Sequence, residues 1–203
     1  MYIQLLFIQL TFFCNIFFFL LIRIKFTNMK KYIPTIILLF FVSIYSNSQS
    51  FRPLDKSPMD LVEFSSSDGE KAVRVLYSRP QLRGRNFSSL VPNGKLWRTG
   101  ANESTEITFY KPASMNNVKI EKGSYTLYTI PNENEWTIII NKATHTWGAY
   151  RYNKKDDVLR FNVPAKKSDN LIEALSMVFE SSSGGGNLVL GWSDKIVKIP
   201  FKI

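Results

Sequence analysis

Residues 123–140 read GSYTLYTIPNENEWTIII, and this stretch decides the fold. Tyr125, Leu127 and Thr129 alternate with Thr126 and Tyr128, a period of two that marks a strand with one face buried. Pro131-Asn132-Glu133-Asn134 is a turn, because these residue types preset or tolerate the dihedrals of a reversal. Trp136, Ile138 and Ile140 then sit in a nearly continuous apolar run. Strand, turn, strand is the local signature of an antiparallel hairpin. The same period continues on both sides. Val73, Val75 and Tyr77 alternate with Arg74 and Leu76, and Ile107 and Phe109 with Glu106 and Thr108. Downstream come Leu159, Phe161 and Val163, then Leu175, Met177 and Phe179, then Leu188, Leu190 and Trp192, and last Val197, Ile199 and Phe201.

Turn signals separate these runs at Asp68-Gly69, Lys122-Gly123, Pro164, Ser183-Gly184-Gly185-Gly186 and Ser193-Asp194. No segment carries a helical period apart from one short turn at Phe87–Val91. The expectation is an all-β fold: a single antiparallel β-sandwich-like domain of about nine strands over residues 50–203. Its core should contain Val75, Phe109, Leu127, Ile138, Phe161, Phe179 and Leu190. Ser181–Gly186 reads as a flexible hairpin loop, and the apolar end at Ile203 as a strand tied into the sheet.

The domain should lie behind an N-terminal signal or hydrophobic segment. Residues 1–22 carry no charge, and Arg23 and Lys25 follow. A second start, Met29-Lys30-Lys31, leads an apolar run from Ile33 to Tyr45 and the small polar stretch Ser46-Asn47-Ser48-Gln49. These are the three parts of a secretory signal over residues 29–48, with cleavage after Ser48. The second apolar run is short for a membrane span, which needs roughly 20 residues. Residues 1–28 are then either an extension upstream of the true start at Met29 or a membrane anchor, with Arg23, Lys25, Lys30 and Lys31 kept in the cytoplasm. Both readings place the rest of the chain outside the cytoplasm, in the periplasm or beyond, touching membrane only through this segment. The one cysteine, Cys14, falls in the first apolar run. The exported part therefore has no disulfide and no thiolate chemistry, and its stability must come from its core. It carries 22 basic and 16 acidic residues, a net +6. That balance favours an acidic small molecule or glycan as partner. Nucleic acid is excluded by the compartment.

Functional side chains concentrate between Tyr77 and Glu106. Arg79, Arg83 and Arg85 flank Pro80 and Gly84, and together they form either an anion clamp or surface salt bridges. In Trp97-Arg98-Thr99-Gly100-Ala101-Asn102-Glu103, Gly100 permits a positive φ and Asn102 can close an Asx-turn. Such a turn would hold Arg98, a planar fork for a carboxylate or phosphate, and Glu103, an acid, base or hydroxyl acceptor. Alternatively Trp97 plugs the core and Arg98 binds loop carbonyls. The only histidine, His145, reads as a loop residue, and no metal-ligand spacing or cofactor motif accompanies it. Trp147, Tyr150 and Tyr152 beside it suit the face of a sugar or the packing of an edge. Glu103 and Glu106, and likewise Asp156 and Asp157, are expected to face apart, which leaves no carboxylate pair of the glycosidase kind.

These motifs form an ordered set. Tyr77-Ser78-Arg79-Pro80, Gly84-Arg85, Leu90-Val91-Pro92, the run from Trp97 to Glu103, Gly123 to Pro131, Trp136, Trp147-Gly148-Ala149-Tyr150 and Asp157 to Arg160 follow one another in that order. The chain thereby resembles a bacterial secreted family known as domain of unknown function 2911, over nearly all of residues 57–203. Asn93-Gly94 departs from it, since an aromatic is expected before the glycine. The resemblance implies an exported single-domain protein and assigns no catalytic residue. The expected role is a binding module for an anionic or carbohydrate ligand at Arg79, Arg83, Arg85, Arg98, Asn102, Glu103, Trp147 and Tyr150. Two other readings stand beside it: a hydrolase or lyase using Glu103 with Arg98, and a structural envelope protein.

Overall fold

The 123–140 stretch forms the expected hairpin. Gly123–Pro131 pairs antiparallel with Glu135–Asn141, from Thr126 opposite Asn141 to Pro131 opposite Trp136. The computed structural model describes residues 31–34, 50–91 and 93–203. The signal expected over 29–48 and the extension or anchor over 1–28 lie outside the described residues, apart from residues 31–34, which are helical. Among the described residues, no helix is long and apolar enough to cross a membrane. Pro53–Ile203 form a compact unit that contains every member of the hydrophobic core.

In chain order the strands are β1 (Met59–Ser65), β2 (Lys71–Ser78), β3 (Glu106–Phe109), β4 (Ala113–Met115), β5 (Val118–Ile120), β6 (Gly123–Pro131), β7 (Glu135–Asn141), β8 (Asp157–Ser182) and β9 (Gly185–Lys202). Within this unit an α-helical turn, α1, spans Phe87–Leu90 and a 3-10 turn spans Lys154–Asp156. All pairings are antiparallel, in the spatial order β1-β2-β3-β6-β7-β8-β9-β4-β5. The sheet is not a flat ribbon. β8 pairs with β7 up to Pro164 and with β9 from Ala165 onward, so one strand carries the chain from the first layer into the second. Proline fits at that changeover because its missing N–H is not needed in a ladder. Pro164 is therefore the hinge between two pairings of a single strand, not a turn.

The second layer bends again. The register of β8 shifts between Lys167 and Ile172 and between Ile172 and Ser176, and Ser193, opposite Ile172, has φ +56°. Bulges of this kind kink and twist a strand. Ser193-Asp194 is thus a corner inside β9, not a turn between two strands. The strand folds back until Ile203 N donates to Gly184 O at 3.0 Å, joining its far end to its own beginning.

The two layers meet through aromatic rings. Phe64 of β1 packs edge-on against Phe201 of β9 at 5.0 Å and tilted against Phe179 of β8 at 5.6 Å. At the other end Trp97 stacks on Trp192 at 5.6 Å and meets Trp136 edge-on at 6.0 Å, with Phe87 of α1 closing the cluster. Between them the buried hydroxyl of Tyr77 accepts from Met177 N at 2.9 Å. Val75, Phe109, Leu127, Ile138 and Leu190 are buried as expected. Phe161 and Phe179 are only half-buried and pack against the core.

Ile139 points away from the sandwich interior and is still fully buried. Its cross-strand partner Tyr128 is covered by Tyr152, edge-on at 5.3 Å. The loop 142–156 folds back over the outer face here, which is why the Ile138–Ile140 run is apolar on both sides.

The β1–β2 turn is pinned by Lys111, which pairs with Asp68 and with Glu70 at 2.9 Å. Bonds from Lys111, Ser66 and the Glu70 amide hold the Asp68 carboxyl well below the ordinary aspartate value of 3.8. A carboxyl depressed by folding stabilises the native state above its ordinary pKa, and that contribution is lost as pH falls through 3.8 toward the lowered value. The thermal midpoint of Lys111→Met should accordingly fall less steeply than the parent's below about pH 4. Parallel acid limbs would assign no such role to the pair.

Candidate functional site

The loop after β2 turns its arginines onto the protein itself. Arg79 donates Nε to Leu175 O at 3.0 Å, Nη1 to Asp60 Oδ2 at 3.0 Å and Nη2 to Ser176 Oγ at 2.7 Å. It ties β1 and the loop to β8 across the sandwich. Arg85 donates to the carbonyls of Leu82 and Gln81, both at 2.9 Å. Arg83, at φ +50°, donates Nη2 to Lys56 O at 3.2 Å, and its amide donates to Glu173 Oε1 at 2.6 Å. Each of the three guanidinium groups thus has acceptors from the chain. Arg83 grips the segment leading into β1, Arg79 grips β1 itself through Asp60, and Arg79 N also donates to Pro58 O.

The 97–103 loop lies beside them. A Cβ on Gly100 would stand 3.0 Å from Ser78 O, so this glycine is required by close approach and not by a positive φ. The positive φ values fall instead on Thr99 (+58°) and Asn102 (+57°). A β-branched residue in that region is strained. Thr99 is held there by its hydroxyl, 3.1 Å from Thr129 Oγ1, and by its carbonyl, which accepts from Thr105 Oγ1 at 2.9 Å. Trp97 is buried and donates Nε1 to Gly100 O at 3.0 Å, so it is the core plug. It forms a bridge with Thr129. The Nε of Arg98 is buried with no acceptor among the described residues. Asn102 closes no turn of its own; its Nδ2 donates to Asp55 Oδ1 at 3.1 Å, again on the N-terminal segment.

The loop 142–156 docks on the same place. Glu103 bridges Trp147, Gly148 N donates to Asn102 O at 3.1 Å, Ser104 N donates to Thr146 O at 2.9 Å, and Ser104 Oγ donates to Gly148 O. Farther along, Tyr152 donates to Asp157 Oδ2 at 2.6 Å and accepts from Arg160 at 2.6 Å. Burial, with the Asp157 bond behind it, raises the Tyr152 phenol and keeps it a neutral donor. On this pinned loop Trp147 remains 60% exposed and Tyr150 83% exposed.

The structure therefore brings Asn102, Glu103, Trp147 and the loop bearing Tyr150 together, with Arg98 on the same 97–103 loop as Asn102 and Glu103. Arg79, Arg83 and Arg85 are neighbours whose groups are bonded elsewhere. Glu103 and Glu106, expected to face apart, border one small cleft of about 90 Å³ with His145 and Met59. Period-two logic fails there because residues 99–105 form a loop and not a strand. His145 Nδ1 lies 3.3 Å from Glu106 Oε2. Among the described residues, no group of three His, Cys, Asp or Glu is placed to hold a metal. A larger hollow of about 350 Å³ lies at Ser65–Asp68 and Gly184-Gly185, beside Lys111, which is already paired.

Such a chain is an all-β sandwich domain whose β2, 97–105 and 142–156 loops gather into one solvent-facing surface. It belongs to the family described as Protein of unknown function (DUF2911), which it matches over residues 57–201. No curated protein and no solved structure is detectably similar to it.

Proposed function

We propose that the domain is an exported binding module for an acidic saccharide, with Trp147 and Tyr150 as its stacking platform. The observation that carries this reading is the exposure of two large rings on a loop fixed by several hydrogen bonds. An aromatic left in water on a rigid support costs apolar exposure without any packing gain. A sugar face, apolar in its C–H groups and polar at its rim, would cover it. Glu103, exposed beside Trp147, is an acceptor for sugar hydroxyls, and Asn102 fixes the loop that presents it. The rival reading, a hydrolase or lyase acting through Glu103 and Arg98, is weaker. The cleft at Glu103 is far below the roughly 300–1,000 Å³ of pockets that enclose a small molecule, and Arg98 does not line it.

Titration of the chain from residue 50 with uronic-acid oligosaccharides, followed by Trp fluorescence or calorimetry, tests the proposal. Trp147→Ala and Tyr150→Ala should each weaken binding about tenfold, equivalent to about 1.4 kcal/mol, with unchanged thermal midpoints. Undiminished binding by Trp147→Ala would rule out the platform.

A further inference from the structure

Resting on that platform reading, we infer that the ligand is a polyanion, and that its charges are held by Lys142, Arg151, Lys154 and Lys155 rather than by the arginines after β2. All four belong to the loop that carries Trp147 and Tyr150, and all four are exposed. No ion pair among the described residues takes any of them. The nearby carboxylate of Asp157 already accepts from Asn141, Tyr152 and Arg160. Within 142–156 the only acid is Asp156, so the loop carries four positive charges against one negative, a net +3. That is half of the net +6 of residues 50–203.

The loop holds these charges in place. Lys142 N donates to Asp156 O at 2.9 Å and Asn141 Nδ2 donates to Asn153 O at 3.0 Å, so the 153–156 turn lies alongside residues 141–142. Tyr152 N donates to Ala149 O at 3.2 Å, closing a turn that contains Tyr150 and Arg151. His145 at φ +54° and Gly148 at φ +63° fix the bends between. Like charges gathered on one pinned loop repel one another. The arrangement becomes favourable when a multiply charged partner lies across it, because the loop loses little freedom on binding. The rings beside the cations select a polyanion with apolar faces, which a sulfated or polyuronic saccharide provides. Of the arginines after β2, Arg79 is paired with Asp60, while Arg83 and Arg85 spend donors on chain carbonyls and lie on a different loop from the rings.

The test compares the chain from residue 50 with a variant carrying Lys142→Gln, Arg151→Gln, Lys154→Gln and Lys155→Gln. The probes are a heparin-derived sulfated hexasaccharide, its desulfated N-acetylated counterpart, and phosphatidylglycerol vesicles, between about 20 and 200 mM salt. Counterion release predicts that the parent's affinity for the sulfated probe falls at least about tenfold over that range. At low salt the variant should bind the sulfated probe about a hundredfold more weakly, equivalent to about 0.7 kcal/mol for each of the four exposed charges, with a flatter salt dependence. Its thermal midpoint should equal the parent's. Sulfated-probe binding by the variant equal to the parent's overturns the inference. Equal parent affinity for both saccharides also overturns it, while leaving the aromatic platform standing. Vesicle binding without saccharide binding assigns the face to lipid and overturns both.

Discussion

Trp97→Ala should lower the stability of the domain by roughly 3–5 kcal/mol. The indole is buried, stacks on Trp192, meets Trp136 edge-on and bonds Gly100 O through Nε1. Truncation would open a cavity between the two layers and remove the bond that shapes the 97–103 loop. For a domain of this size the thermal midpoint should drop by roughly 6–20 °C, at about 2–4 °C per kcal/mol. A midpoint within a degree of the parent's would mean that the ring does not join the layers. Trp97→Phe, which keeps apolar volume and loses the Nε1 bond, should fall between. An intermediate midpoint separates the packing contribution from that of the bond.

The second large effect is expected at Gly185. A Cβ there would stand 2.2 Å from Phe201 O and 2.7 Å from Lys202 Cα. The obstruction is backbone, so no rotamer change relieves it, and β9 would have to part from its own beginning. Gly185→Ala should cost roughly 3 kcal/mol, the upper end of ordinary overpacking. Its neighbour supplies the control. Gly184 has φ +73° and nothing within 4 Å of a Cβ, so Gly184→Ala should cost only about 1 kcal/mol, the strain of a left-handed alanine. Urea unfolding of the two variants side by side checks the difference. Equal midpoints would mean that the near end and the far end of β9 do not touch.

That pair of glycines illustrates what the residues alone disclose. Ser181–Gly186 reads as a flexible loop because glycine usually signals backbone freedom. Gly185 and Gly186 are instead buried strand residues, selected by the approach of Phe201, Phe64 and the Glu180 carbonyl. Proximity between positions far apart in sequence leaves no periodic trace. The period-two runs, by contrast, are local, and they reported β2, β3, β6 and β7 correctly. They also marked both halves of β8 and of β9, but as separate strands, since a bend that keeps its pairing looks like a turn until the partner strand is known. β1 was missed because Met59-Asp60-Leu61-Val62-Glu63-Phe64 buries only Phe64 deeply. β4 and β5 are three residues each, too short for a period to show.

At the candidate site, the residue types were informative and their partners were not. Nothing local to Arg79 indicates that Asp60, Leu175 and Ser176 will surround it. The cations of 142–156 carry a readable signal, a run of basic residues interleaved with aromatics. That no ion pair among the described residues takes them emerges only when Asp157 is seen bonded to Arg160 and Tyr152.

The layered β8–β9 arrangement has a consequence for how the chain reaches its native state. Phe64, in the first strand, rests on Phe179 and Phe201, close to the last residue. The Tyr77 hydroxyl waits for an amide 100 positions downstream. A polypeptide emerging amino end first therefore cannot close the contact between its two layers until its final strand is free. Early hairpins form and dissolve, because lone two-stranded ribbons are marginal in water. Closure is late and dominated by distant pairings, which makes it slow. Late closure of this kind would suit the proposed export, since passage through a narrow protein-conducting pore demands a chain whose layers have not yet met.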